Sequence, residues 1–112
     1  MEKLKKYQLI LSELVESFAK AAFSVQPGLE NQAITDMIHN HFQVVTLGWE
    51  NGKFVFDILL HFDIKDDKIW IQQNWTDVLI DEELIKKGVE KADIVVGFLP
   101  PYAREYAQLA TV

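Results

Sequence analysis

Apolar residues recur at spacings of three and four from the start of the chain: Leu4, Tyr7, Leu11, Leu14 and Phe18. Ile10, Val15, Ala21 and Ala22 widen that stripe, while Glu2, Lys6, Glu13, Glu16 and Lys20 fall mostly off it. The period is helical and predicts a long amphipathic helix from about Glu2 to Ala22. Pro27-Gly28 then ends the region and opens a loop.

The period changes to two further on. Glu50-Asn51-Gly52-Lys53 places an Asn-Gly pair between apolar runs, the residue types that a type I′ hairpin turn needs because both central residues take positive φ. Pairing outward from this turn sets Trp49 against Phe54, Leu47 against Phe56, Val45 against Ile58 and Phe42 against His61. Every even position from Phe54 to Ile64 is apolar, which predicts one buried sheet face covered by the N-terminal helix. A second hairpin at Lys65-Asp66-Asp67-Lys68 sets Ile64 against Ile69, Phe62 against Ile71 and Ile58 against Trp75, continuing the same face. A segment near Gln32–Ile38 adds a further strand to this antiparallel meander of three or four. The opposite face then carries Thr46, Asp57, Leu59, His61, Asp63, Trp70, Gln72 and Asn74.

Past Trp75 the signals are those of short helices. Asp81 is placed to cap one, with Glu82 and Glu83 in its first turn, Lys86 and Lys87 in its last and Gly88 as the stop. The apolar segment Ile94–Phe98 follows, then Pro100-Pro101 and a helical turn around Tyr102–Tyr106. These elements make an α+β fold in a single domain over residues 1–112.

Composition narrows the function classes. A chain of 112 residues with 49% hydrophobic residues builds one core. It contains no cysteine, so disulfides, thiolate metal sites and cysteine nucleophiles are excluded, in keeping with a cytoplasmic protein. Charged residues interrupt the N-terminal segment, so it is no signal peptide, and no apolar stretch reaches the ~20 residues that span a bilayer. The net charge of −6, with basic residues scattered, argues against autonomous DNA binding.

Several stretches are similar to one protein family. Trp49-Glu50-Asn51-Gly52-Lys53, the run from Leu60 to Asn74 with its Lys-Ile-Trp-Ile-Gln-Gln core, and the run from Glu83 to Phe98 with Pro101 and Arg104 beyond resemble the XisI family over nearly the whole chain. The chain departs from the family pattern where Asp66-Asp67 replaces Asp-Gly and where Leu99 stands in place of histidine. Proteins of this family are described as controlling factors for excision of the fdxN element in heterocyst-forming cyanobacteria, acting beside a recombinase and a companion, XisH. The resemblance implies an accessory or regulatory role in DNA rearrangement through an XisH-like protein partner, and it brings no catalytic residues. The alternative it leaves open is a small DNA-binding recombination directionality factor.

No chemistry in the chain contradicts a non-enzymatic role. The glycines at 28, 48, 52, 88 and 97 form no phosphate-binding loop, and no nucleophile elbow surrounds Ser12, Ser17 or Ser24, so no cofactor is expected. His39, His41 and His61 could converge on a metal, but the expectation is that the first two flank a loop and His61 fills the outer face. Asp63, Asp66 and Asp67 are expected to be solvated turn formers. The partner-binding candidates are His61, Trp70 and Gln72 on the outer face with Tyr102 and Arg104 near the C-terminus. Trp70 among an aliphatic, histidine and amides suits a protein interface, and equally a face covered by the C-terminal segment or by a second copy of the chain. Arg104 could meet a partner carboxylate or phosphate, or anchor the tail to the domain's own acidic surface.

Overall fold

A computed structural model describes residues 2–21 and 27–104. Helix α1 (Lys3–Ala21) buries Tyr7, Ile10, Leu11, Leu14 and Val15, the stripe expected from the spacing. The proposed end at Ala22 lies outside the described residues. A sheet follows in the order β1 (Leu29–Asp36), β2 (His41–Glu50), β3 (Lys53–Lys65), β4 (Lys68–Asn74), β5 (Ile94–Val96). The first four strands form an antiparallel meander. Strand β5 adds a parallel edge to β4, reached through helix α2 (Ile80–Lys86) and a 3₁₀ turn at Lys91–Asp93. Among the described residues no helix is long and apolar enough to cross a membrane.

Both predicted turns form with the expected backbone. Asn51 and Gly52 take φ of 52° and 76°, and Asp66 and Asp67 take 53° and 59°, positive at both central positions in each case. One side of the meander packs on α1. Phe42, Val44, Leu60, Phe62, Ile64, Ile69 and Ile71 join the helix stripe in one core, closed at the end by Ile80, Leu84, Val89 and Ile94.

The single even-numbered stripe of β3 does not survive. Val45 pairs with Ile58 but Val44 pairs with Leu60, so Leu59 is an extra residue and β3 bulges there. Neighbours on β2 point to opposite faces, so Leu60, Phe62 and Ile64 face α1 while Ile58, Phe56 and Phe54 face away from it. Exposure agrees: Phe62 and Leu60 are fully buried, whereas Phe54 and Phe56 are 55% and 58% exposed and Trp49 62%. The bulge also moves Gln43, not Phe42, opposite His61. Leu59, expected on the outer face, packs partly against the α1 core, and Thr46 and Asp57 turn to the α1 side with Val44.

A second irregularity lies in β4, where His61 pairs with Gln73 and Phe62 with Ile71, leaving Gln72 as the extra residue. Strand pairing therefore stops at Leu60–Asn74, and Trp75 is not opposite Ile58: its N–H bonds the Leu59 carbonyl at 2.8 Å and its side chain is 68% exposed. Asn74 turns to the core side, where its amide donates to the Val78 carbonyl at 3.0 Å.

Asp81 does not cap α2. The helix begins two residues earlier than expected, with Leu79 at the cap position and no side-chain cap bond, because burying Ile80 to 2% exposure fixes the entry of the chain. The far end behaves as expected: Gly88 at φ +107° lets its own N–H reach Ile85 O and the Val89 N–H reach Leu84 O. That bonding pattern closes the helix with Val89 packed back into the core.

Candidate functional site

The face of the sheet opposite α1 carries two contiguous regions. At the far end of the β2–β3 hairpin lie Trp49, Phe54 and Phe56, with Trp49 and Phe54 meeting edge-to-face at a ring separation of 5.5 Å. Nearer the sheet centre the surface becomes polar, and its geometry is set by strand pairing. His41 lies directly across from Asp63, and Gln43 directly across from His61. Because residues two apart on a strand share a face, these four side chains form one cross-strand square.

The square is held by short hydrogen bonds to one carboxylate. His41 Nδ1 lies 2.6 Å and His61 Nε2 2.8 Å from Asp63 Oδ1. Gln72, freed from the ladder by the β4 bulge, donates its amide to Asp63 Oδ2 at 3.1 Å. Gln43 Oε1 meets His61 Nδ1 at 2.8 Å on the ring's other side. Burial pushes the Asp63 carboxyl upward, but bonds from His41, His61 and Gln72 outweigh it and hold the group below its usual value. Asp63 is only 9% exposed and sits within a strand, so it is not the turn former expected from sequence; Asp66 and Asp67 alone form the turn. His39 does not join this cluster. Its ring bonds Asp36 Oδ2 at 2.8 Å within the β1–β2 loop and stacks beside His41 at 6.5 Å.

Trp70 pairs with Asp63 from the other side and is half-covered. Lys65 Nζ lies 5.0 Å and Arg104 Cζ 5.1 Å from its ring centre, both within cation–π range. Arg104 Nε also donates to the Leu99 carbonyl at 2.8 Å, so this side chain ties the C-terminal turn, residues 101–104, back onto the sheet. Among the described residues its anchors are a carbonyl and a ring, not a carboxylate. Tyr102 stands 77% exposed beyond it, and Tyr106 lies outside the described residues. His61, Trp70, Gln72 and Arg104 thus share one region, with Tyr102 at its margin.

Sequence reasoning left out Gln43, which orients His61, and Gly97, which makes room for Gln72. A Cβ at Gly97 would lie 2.2 Å from Gln72 Oε1. The odd-numbered polar positions 41, 43, 61 and 63 were visible as a period-two pattern, but the bulge that brings them into register was not.

Comparison with known proteins agrees with this architecture. A model of the family described as XisI protein matches residues 1–111. The crystal structure of a XisI-like protein from Anabaena variabilis ATCC 29413 superposes with a TM-score of 0.85 at 41% identity, covering 92% of this chain and 94% of that one. That of the fdxN element excision controlling factor XisI from the same organism superposes with a TM-score of 0.82 at 26% identity, covering 96% of each. Among curated proteins none matches.

Proposed function

The chain belongs to the XisI family, and on that premise we propose that it is an accessory, regulatory protein in the control of a DNA rearrangement. It works by binding an XisH-like protein and not by catalysis. The observation that carries the reading is the exposed aromatic group Trp49, Phe54 and Phe56 on the sheet face opposite α1. Large aromatics held by strand pairing, with a polar region beside them, have the make-up of a protein interface: a few buried aromatics dominate binding energy and the polar rim fixes orientation. The same face continues through His61 and Gln72 to Trp70, whose ring is held in place by two cations.

The test is co-expression with an XisH-like protein, followed by size-exclusion chromatography with light scattering. A stable heterocomplex is expected, and Phe56→Glu is expected to weaken it by roughly thirtyfold, the effect of a hot-spot loss of about 2 kcal/mol. The substitution should leave thermal stability nearly unchanged, because Phe56 lies outside the core. A lone homo-oligomer with no heterocomplex overturns the partner assignment. The competing reading, a small DNA-binding directionality factor, requires retention of DNA in a mobility-shift assay with steep loss as salt rises. A net charge of −6 speaks against it.

A further inference from the structure

His61 stands between two acceptors. Its Nδ1 faces Gln43 Oε1 and its Nε2 faces Asp63 Oδ1, each at 2.8 Å, and both partners are acceptors. A neutral imidazole has one N–H and so satisfies only one of them. If Gln43 takes that proton, the Nε2 lone pair points at a carboxylate oxygen, and either a second proton on the ring or a metal cation completes the contact. His41 presents Nδ1 to the same oxygen at 2.6 Å from the opposite side.

We propose that His41 Nδ1, His61 Nε2 and Asp63 Oδ1 bind one divalent transition-metal ion of the zinc class, with at least one coordination position open. Among the described residues these three each place one ligand atom within 4.8 Å of the other two. Tetrahedral ligands with bonds of about 2.0–2.2 Å stand roughly 3.3–3.6 Å apart, against the 2.6 and 2.8 Å between the two histidine nitrogens and Asp63 Oδ1. Admitting the ion therefore means opening these two contacts by roughly 0.5–1 Å. The histidines supply that shift, since the side chains of His41 and His61 are 52% and 24% exposed while that of Asp63 is 12% exposed. Two imidazoles with one carboxylate suit borderline ions such as Zn²⁺ and disfavour Mg²⁺, which prefers all-oxygen ligands.

The surroundings match those of a metal site more closely than those of a chance surface cluster. Gln43 Oε1 is placed to accept from Nδ1 in the His61 tautomer that ligates through Nε2, and Gln72 holds the second carboxylate oxygen, the outer contacts that orient metal ligands. Two paired strands supply all three ligands, so the site is built before an ion arrives. The exposed side of His41 leaves room for water or for a ligand from another molecule.

The experiment uses the untagged full chain, stripped with chelator and titrated with Zn²⁺ by calorimetry, with Mg²⁺ as the control ion. Expected are one Zn²⁺ per chain at micromolar protein, release of protons on binding, and no uptake of Mg²⁺. Co²⁺ in place of Zn²⁺ should give visible absorption bands from the nitrogen- and oxygen-ligated ion. His41→Ala and Asp63→Asn should each lower the Zn²⁺ affinity at least tenfold, and Gln43→Ala about tenfold. His39→Ala should leave it unchanged, because that ring belongs to Asp36. His41→Ala removes a half-exposed side chain and keeps the fold, so its circular dichroism spectrum must match the parent. No saturable Zn²⁺ uptake, or equal affinity in the parent and His41→Ala, overturns the assignment. The measurement is made on the chain alone, so its outcome is independent of any protein partner.

Discussion

Tyr7 shows how a single polar atom can tie the N-terminal helix to the far end of the chain. Its hydroxyl donates to Asp93 Oδ2 at 2.6 Å and accepts the Glu90 N–H at 3.3 Å, while Lys3 Nζ reaches the same carboxylate oxygen at 3.0 Å. Burial alone would raise the Asp93 carboxyl, but the Tyr7 hydroxyl and the Lys3 ammonium outweigh it and hold the group below its ordinary 3.8. Tyr7→Phe should therefore destabilise the fold by about 1.5–3 kcal/mol, the usual effect of losing a buried bond to a charged group. Because the folded-state value is depressed, the stabilisation from Asp93 is complete above the unfolded value and is lost as pH falls through the folded one. Urea melts of both proteins should differ most near neutral pH and converge below 3.8, the ordinary value of this carboxyl. At this scale the sequence was informative about types and not about partners. Tyr7 was legible as a core residue from its helical spacing, but nothing in the local pattern points from residue 7 to residue 93. Likewise His61, Asp63, Trp70 and Gln72 were legible as one face, while the burial of Asp63 was hidden by its nearness to Asp66 and Asp67.

Among the elements, the two hairpin turns were fully legible because their requirement is local. A type I′ turn needs positive φ at two residues, and Asn51-Gly52 meets it at low cost. Asp66-Asp67 meets it with two side chains in a region that favours glycine. Asp67→Gly should accordingly stabilise the protein by about 0.5–1 kcal/mol, read as a higher urea midpoint with unchanged slope. The bulges were not legible, since an extra residue in a strand leaves the alternation of apolar and polar positions intact and changes only which face each half uses. The cap of α2 misled for a different reason: Asp81 has the right chemistry, yet the burial of Ile80 and Leu84 decides where the helix starts. Strand β5 escaped notice because three residues, Ile94–Val96, carry too little periodicity to distinguish strand from loop, and their pairing with β4 depends on the crossover through α2.

For the whole molecule, length decides how much of the sheet can be covered. Strand β3 has 13 residues and so runs about 43 Å, while α1 has 19 residues and runs about 28 Å. The longest dimension of the molecule is 43 Å. A helix of that length covers one face of part of the hairpin, and Trp49, Phe54 and Phe56 lie on the opposite face beyond the Leu59 bulge. The break between covered and uncovered parts falls at the Leu59 bulge. One consequence concerns how the hairpin opens in solution. Inward of the bulge, the amides of Phe42 and Phe62 belong to strands sealed under α1, so their exchange with deuterium should require unfolding of the entire domain. Outward of it, β3 pairs with β2 alone and Phe54 and Phe56 lie outside that core, so the amides of this part of β3 should exchange through local fraying. Measured residue by residue, protection along β3 should fall in one step near Leu59, dividing a continuous strand into a permanent part and a part that repeatedly opens.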